Sequence, residues 1–308
     1  MRVLVTGAGG FVGGVLSRRL GARPDVQLLA VGRSPPPGVA GATFDLLDAV
    51  ALRRTLADFA PDVVVHAAGR TAGEPSRMLA DNAVATAGLA EAMAAETPHA
   101  GLILLGSAAQ YGVSSDRRPW RESDPCQPRD PYALSKHAGE QCVMIHAALR
   151  VTGLRLFNLV ASEPGGGQVF SGFLRRAAEA LAGPPPRRVR TGPLDAVRDF
   201  VAVDDVGRAV EAVIDLGVWG EVINVASGRG RTVRALIEAA AAEIGGGLAL
   251  EAPAPAEDGG LPWSVGDPGK CERLLGFAPT ADLAPVLRQA AAWVRAAAKA
   301  GADARSHA

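Results

Sequence analysis

Lysine and tyrosine are nearly missing from this chain of 308 residues. Lysine stands only at Lys136, Lys270 and Lys299, against 29 arginines, and tyrosine only at Tyr111 and Tyr132. With alanine and glycine abundant, this is the drift of a GC-rich genome, so a single arginine carries little information and a surviving lysine or tyrosine carries more. Surplus charge is missing too, because 32 basic side chains balance 32 acidic ones. DNA, RNA and anionic membranes favour a concentrated basic surface, so neither nucleic acid nor membrane is expected as a partner. No apolar run approaches the roughly 18 to 20 residues that a spanning helix requires. Met1 to Val5 runs straight into Gly7, Gly9 and Gly10 with no cleavage-type segment, which does not read as a signal peptide. Three isolated cysteines (Cys126, Cys142 and Cys271) make no disulfide framework, and no Cys/His spacing suits a zinc site. The expectation is a soluble cytoplasmic protein without a metal.

What is present is enough apolar residue to fold: 48% of the chain is hydrophobic and 21% charged. That balance excludes disorder over most of the length, and the length suits one large bilobal domain or two domains. Short apolar runs at Arg2–Val5, Val26–Val31, Val63–His66, Leu102–Leu105 and Leu154–Phe157 alternate with helical patterns starting near Phe11, Asp48, Pro75 and Pro131. Strands that are apolar throughout, separated by amphipathic helices, predict a doubly wound α/β fold whose parallel sheet is covered on both faces. Ligands of such sheets sit at the carboxyl ends of the strands. Beyond about residue 160, Pro- and Gly-rich stretches such as Glu163-Pro164-Gly165-Gly166-Gly167 and Ala252-Pro253-Ala254-Pro255 punctuate shorter elements. Among them a strand is predicted at Val222–Val225, and helices over Thr232–Ile244 and Leu283–Ala298. Residues 1–160, with returning segments at about 196–226, are expected to form the first lobe. Residues 161–195 and 227–300 would form a smaller C-terminal α/β substrate lobe, and 301–308 a loose tail.

Directly after the first strand, Thr6-Gly7-Ala8-Gly9-Gly10-Phe11-Val12-Gly13 opens the first helix. Glycines there permit a tight turn and close approach of backbone to a pyrophosphate at the helix N-terminus, which reads as a dinucleotide site rather than an ordinary turn. The second strand ends in Gly32-Arg33-Ser34, where an NAD-preferring protein usually carries an acid for the ribose 2′-hydroxyl. Arginine and serine suit a 2′-phosphate, so NADP is favoured over NAD. Asp45 is a candidate acceptor for the adenine amino group, or else a solvated helix cap.

Asp130-Pro131-Tyr132-Ala133-Leu134-Ser135-Lys136 is the most specific signal. Asp130 suits an N-cap and Pro131 a first helical position, so Tyr132 and Lys136 should lie one turn apart on one face. A cationic amine beside a phenol favours phenolate and is expected to lower the phenol's pKa toward the working range of a general acid or base. Upstream, Ser107 follows a buried strand on the ligand-binding edge, where a hydroxyl can hydrogen-bond a carbonyl oxygen as it gains negative charge.

Together with Asp45-Leu46, His66-Ala67-Ala68-Gly69, Asn82, Tyr111-Gly112, Arg155-Leu156-Phe157-Asn158, Arg198-Asp199-Phe200-Val201 and Asn224-Val225-Ala226-Ser227-Gly228, these residues resemble the extended short-chain dehydrogenases/reductases. The resemblance runs from residue 1 to about 295 and is nearest to the nucleotide-sugar branch, in particular to GDP-6-deoxy-4-ketomannose reductases and other 4-ketohexose reductases. It implies a Rossmann sheet and a catalytic set of Ser107, Tyr132 and Lys136. It further implies an NAD(P) site built from Gly7, Gly9, Gly10, Phe11, Val12, Gly13, Arg33, Ser34, Asp45, Leu46, Ala67, Ala68, Gly69, Asn82, Tyr132 and Lys136. A substrate site drawing on Ser107, Ala108, Asn158 and Arg198 follows as well.

Dehydratases of this kind carry an Asp-Glu pair after the catalytic hydroxyl to eliminate water, whereas Ala108 and Ala109 stand here and cannot move a proton. Reduction of a nucleotide-sugar ketone at C4 is therefore expected. The alternatives are an epimerase holding NAD, a reductase of a non-nucleotide ketone, and a silent NAD(P)-binding regulator. Two departures bear on the substrate. Ala161-Ser162-Glu163-Pro164 replaces the usual Gly-Pro, and the stretch Gly259 to Gly266 lacks the second phosphate-binding arginine, for which Arg229 or Arg231 is a possible replacement. Trp263 is expected to pack. A homodimer is expected through helices near Pro75–Ala95 and Pro131–Arg150, whose alanines (Ala83, Ala87, Ala90, Ala94; Ala138, Ala147, Ala148) permit close approach.

Overall fold

Val3, Leu4 and Val5 have no exposed surface, because β1 (Arg2–Thr6) lies between parallel strands and beneath helices on both faces. In the computed structural model, which describes residues 1–114, 116–146, 148–165, 169–253 and 263–306, the other strands of this sheet are β2 (Gln27–Gly32), β3 (Gly41–Thr43), β4 (Val63–His66), β5 (Gly101–Ser107), β6 (Arg150–Leu156) and β10 (Glu221–Val225). The seven pair in the order β10-β6-β5-β4-β1-β2-β3, all parallel. The chain leaves β1 toward β2 and β3, then crosses to β4 and builds outward the other way. The order thus reverses between β1 and β4, which opens a crevice at their carboxyl ends. Thr6, the last residue of β1, pairs with both Val31 and His66.

One face is covered by α1 (Phe11–Gly21) and α7 (Val203–Leu216), the other by α2 (Ala49–Phe59), α4 (Ala85–Glu96) and α5 (Pro131–Met144). The starts predicted at Phe11, Pro75 and Pro131 stand, and Asp48 caps α2 by accepting from the backbone N–H groups of Val50 and Ala51 at 3.1 and 3.0 Å. The helix predicted from Pro75 is not uniform: α3 (Pro75–Leu79) passes into a π-helical turn at Ala80–Val84 before α4. Such bulges favour functional positions, and this one carries Asn82 inward to a nearly buried place.

Four further strands form a second sheet: β9 (Val197–Ala202) pairs with β7 (Asn158–Val160), β11 (Gly230–Thr232) and β13 (Trp263–Ser264). Of the segment at about 196–226 expected to return to the first lobe, β10 joins the main sheet and α7 covers it, while β9 lies in this second sheet with Val201 packed into the main core. Asp199 anchors β9 there. Its buried carboxylate accepts from Ser227 N (3.0 Å), Ser227 Oγ (2.6 Å), Gly228 N (2.9 Å) and Gly266 N (3.3 Å), tying β9 to the chain after β10 and to that before α9 (Gly269–Leu275). A separate core of Phe170, Phe173, Leu174, Ile237 and Leu287 joins α6 (Val169–Leu181), α8 (Val233–Ile244) and α10 (Ala284–Ser306). β8 (Arg188–Arg190) and β12 (Ala249–Glu251) pair beside it. α10 continues through Ser306, past the point where a loose tail was expected. Ala147, Gly166, Gly167 and 254–262 lie outside the described residues, and with them most of the stretch that lacks an arginine.

Candidate active site

The glycine turn is shaped by contacts that no side chain could share. Gly7 has φ +66°, and a Cβ there would lie 2.5 Å from the backbone of Ala68. One on Gly9 would overlap the Ser34 carbonyl, and one on Gly13 would overlap the carbonyl of Gly7. The turn is thereby pressed between the ends of β2 and β4, and no side chain caps α1 at Gly10. Uncapped N–H groups at a helix start are a ready anion site.

A cavity of about 250 Å³ opens in front of it, lined by Gly7, Gly9 and Gly10, by Gly32, Arg33 and Ser34 after β2, by Phe44, Asp45 and Leu46 after β3, and by Ala67, Ala68 and Gly69 after β4. A second cavity, of about 860 Å³, lies beyond Gly10 and Phe11, between Ser34–Pro37 and Ala161–Gly165. Val12 packs against the core under the turn. The residues present fit a dinucleotide, with a glycine-cradled helix start for the pyrophosphate and an arginine and a serine at the end of β2. Asp45 accepts from Leu47 N at 3.1 Å and from Arg77 at 3.2 Å. The Leu47 N–H and then Arg77 hold its carboxyl below the usual range. It caps no helix, since Asp48 takes that role.

Behind the cavity, polar side chains from β1, β4, the π-helical turn, α4 and α5 interlock. Asn82 Nδ2 donates to Ser135 Oγ and to Arg70 O, both at 2.8 Å, and its Oδ1 accepts from Arg70 N at 2.6 Å. Ser135 Oγ in turn donates to the Tyr132 carbonyl at 2.8 Å, fixing the first turn of α5, which Asp130 caps through Ala133 N at 2.8 Å. Fully buried His66 sits between Thr6 Oγ1 (2.7 Å) and Thr86 Oγ1 (2.9 Å), and burial pulls its pKa down to about 3, so the ring is neutral. Lys136 Nζ donates to the Leu105 carbonyl at 2.6 Å, and it lies 3.6 Å from where a Cβ on Gly69 would stand.

Ser107 ends β5 and caps a short 3-10 turn, Ala108–Tyr111: its Oγ accepts from Ala109 N at 3.2 Å, while Gln110 Oε1 accepts from Ser107 N at 3.1 Å. Burial raises the Tyr132 phenol's pKa, and the neighbouring Ser107 hydroxyl opposes this. That corrects the expected lowering. The Lys136 ammonium is engaged with a main-chain carbonyl, so desolvation governs the phenol and keeps it protonated. Desolvation likewise brings Lys136 down to about 8, against an upward pull from Glu140.

The substrate candidates lie on the second sheet. Arg198 of β9 stands in register with Arg231 of β11 on one side and Ser264 of β13 on the other. Burial lowers the Arg198 pKa, and its Nη1 donates to the Val197 carbonyl at 2.9 Å. Arg231 Nη2 donates to the Ala281 carbonyl. Asn158 Nδ2 reaches the Asp199 carbonyl at 3.2 Å, and Ala108 is nearly buried beside Ser107. Arg229 is exposed, and Trp263 is half-buried against Gly230. Sequence reasoning missed Gln110, whose S-x-x-Q spacing from Ser107 is a capping-box signal. It also missed the Thr6–His66–Thr86 chain, for which only the long-range register gives a sign.

The family model for the NAD dependent epimerase/dehydratase family matches residues 3–226. The chain belongs to that family. It is an enzyme of the extended short-chain dehydrogenase/reductase type, and the family's cofactor is NAD(P). Among relatives, the chain is 33% identical over 301 residues, 94% of each chain, to a protein of Kitasatospora kifunensis named dTDP-6-deoxy-L-talose 4-dehydrogenase (NAD(P)(+)). It is 32% identical over 246 residues to the GDP-6-deoxy-D-mannose reductase of Pseudomonas aeruginosa, covering 77% of this chain and 78% of that one. Among solved structures it resembles RMD from Pseudomonas aeruginosa complexed with NADPH, with a TM-score of 0.79, 28% identity, and coverage of 96% and 99% of the two chains.

Proposed function

We propose that the protein reduces a keto group, at C4, of a nucleotide-activated 6-deoxyhexose with NAD(P)H, NADP(H) being preferred. The arrangement that carries the reading is the Tyr132 phenol beside the Ser107 hydroxyl at the end of β5, with Ala108 and Ala109 where a dehydratase needs an acid and a base; burial raises the phenol's pKa and so favours its acid form. Bound nicotinamide would supply the hydride. Tyr132 donates its proton to the carbonyl oxygen as negative charge develops there. Ser107, its backbone fixed by Gln110, hydrogen-bonds the same oxygen. The Lys136 ammonium, directed by Leu105 O toward the Gly69 side of the cavity, holds the cofactor's ribose and favours the phenolate left after proton transfer. Gly7, Gly9, Gly10, Phe11 and Gly13 receive the pyrophosphate, with Val12 supporting the turn. Ala67, Ala68, Gly69, Leu46 and Asn82 frame the nucleotide, and Arg33 and Ser34 take the 2′-phosphate. Arg198, with Asn158 beside it and Arg231 alongside, faces the substrate diphosphate.

Relatives named as 4-dehydrogenases and reductases of deoxyhexose nucleotides support the substrate class. Incubation with an enzymatically generated dTDP- or GDP-4-keto-6-deoxyhexose and NADPH is expected to remove the absorbance near about 340 nm. Tightly retained NAD with no net oxidation would instead identify an epimerase. The protein is further proposed to form a homodimer, α4 and α5 of one copy packing on those of the other; Val84, just before α4, and Leu134 and Ile145, in and just after α5, are 60%, 48% and 77% exposed. Light scattering at micromolar concentration tests it, and a monomer mass would reject it.

A further inference from the structure

Beneath the catalytic helix lies a charge pair that the mechanism above does not use. Glu140 of α5 is 1% exposed and Arg155 of β6 is 5% exposed. Arg155 Nη2 meets Glu140 Oε1 at 2.6 Å, and its Nε meets both carboxylate oxygens at 3.1 and 3.3 Å. The carboxylate reaches the sheet through a gap left by two glycines. Its Oε2 lies 3.3 Å from where a Cβ on Gly106 would stand and 3.8 Å from one on Gly153. Gly106 pairs with Arg155 across β5 and β6, and the guanidinium carbon sits 4.8 Å above the Tyr111 ring.

Such a pair is a poor device for stability. Desolvating two charges costs about as much as their attraction returns, and here Arg155 Nη1 is buried with no hydrogen-bond partner among the described residues. Glu140 also stands one helical turn beyond Lys136, on the same face of α5. Lys136 sits in desolvated surroundings, and among the described residues its nitrogen has one neutral acceptor, Leu105 O. The other titratable groups around it are Tyr132, which is protonated, His66, which is neutral, and, beyond Gly69, Asp81, which is paired with both Arg70 and Arg77. Glu140 is the anion left to act on it.

We propose that Glu140, clamped by Arg155 in the two-glycine gap, is a positioning residue that holds Lys136 in its ammonium form. The inference rests on the reading of Ser107, Tyr132 and Lys136 as the catalytic set. Lys136 can hold a ribose hydroxyl and favour phenolate only while charged, and burial pulls it down to about 8, close to working pH. Arg155 fixes the carboxylate and also partly offsets it, so the pair acts on Lys136 as a net negative charge of reduced strength.

The scarcity of lysine makes the test direct, because only three lysines exist. Protein labelled with 13C at lysine Cε gives three signals, assigned with Lys270→Arg and Lys299→Arg, and Lys136 can be titrated without substrate or cofactor. In Glu140→Gln its midpoint is expected to fall by about one unit or more, the range for loss of an opposite charge nearby. In Glu140→Gln/Arg155→Met, where no unpaired cation is left buried, it should fall by less and lie between the single variant and the parent. Lys270 and Lys299 should not move. In each variant the alkaline limb of kcat/KM should shift by as much as that variant's Lys136 midpoint, further in the single than in the double. A merely structural role predicts no such order. An unchanged Lys136 midpoint in whichever of the two variants folds would overturn the proposal, and it would do so even if the true substrate proved not to be a nucleotide sugar.

Discussion

At the carboxyl edge of the seven-stranded sheet, Asn82, Ser135, His66, Lys136 and Ser107 are each tied to a neighbour at 2.6 to 3.2 Å. On the second sheet, Arg198 and Arg231 stand in register on neighbouring strands and reach the Val197 and Ala281 carbonyls, so that sheet presents guanidinium groups where the first presents hydroxyls, an amine and a phenol. The first region carries the groups proposed to move a proton, the second the groups proposed to meet the substrate's phosphates. The two halves should therefore respond differently to the same kind of substitution, chemistry being lost from the first and affinity from the second.

The largest effect separating them is expected at Tyr132. Tyr132→Phe removes the proton donor and keeps the ring, so kcat/KM should fall by about 10³-fold while NADPH binding, read by fluorescence titration, stays within a few-fold. Unchanged turnover of the true substrate would break the assignment of chemistry to this edge. Next comes Arg198→Gln, where loss of a charge-assisted contact to a phosphate should raise KM about 10- to 100-fold with kcat largely kept. If kcat falls instead and KM holds, the second sheet belongs to the chemistry and the contrast fails.

The pH profile sharpens the same division. In the proposed mechanism the protonated form of Lys136 is the active one, and burial brings its pKa down to about 8, below the ordinary lysine value. The sign is thus a loss on the alkaline side: activity persists below about 8 and declines above it as the ammonium loses its proton. Tyr132, pushed up by burial, stays protonated through this window. In Arg198→Gln the limb should not move, because the residue is remote from that proton. At the far end of the cofactor crevice, Arg33→Asp should turn the NADPH over NADH preference by about 10-fold or more, since an acid accepts from a 2′-hydroxyl and repels a 2′-phosphate. An unchanged ratio of kcat/KM values would reject the 2′-phosphate role.

The contrast also explains what could be read before any coordinates. Glycine turn, Arg33-Ser34, Ser107 and Tyr132/Lys136 each lie within a few residues of the strand or helix that positions them, so spacing alone places them on one edge. The second sheet draws strands from 158–160, 197–202, 230–232 and 263–264, and two- or three-residue strands carry no usable periodicity. β9 is longer, with six residues, but nothing local shows that its Asp199 will bind Ser227, Gly228 and Gly266. The phenol's pKa was misjudged on different grounds: sequence spacing gives the distance from Lys136 to Tyr132 but not the burial that outweighs it, nor the Leu105 carbonyl that takes the ammonium.

The smallest expected effect lies at Gln110, inside the legible region yet overlooked. Its side-chain carbonyl accepts from Ser107 N, and its Nε2 is buried without a partner among the described residues. Gln110→Met keeps the volume and removes the acceptor, which frees the Ser107 backbone by one neutral hydrogen bond, about 0.5 to 1.5 kcal/mol. Part of that is recovered because the orphaned N–H of Gln110 is removed at the same time. The fold should therefore keep its melting temperature within a few degrees. The hydroxyl of Ser107, less firmly aimed at the carbonyl oxygen, should cost a few-fold in kcat, with KM for the sugar nucleotide and for NADPH unchanged. Were KM to rise instead, the capping box would be holding the substrate pocket open rather than aiming the serine, and the chemistry would reach further toward the second sheet than the hydrogen bonds at the carboxyl edge imply.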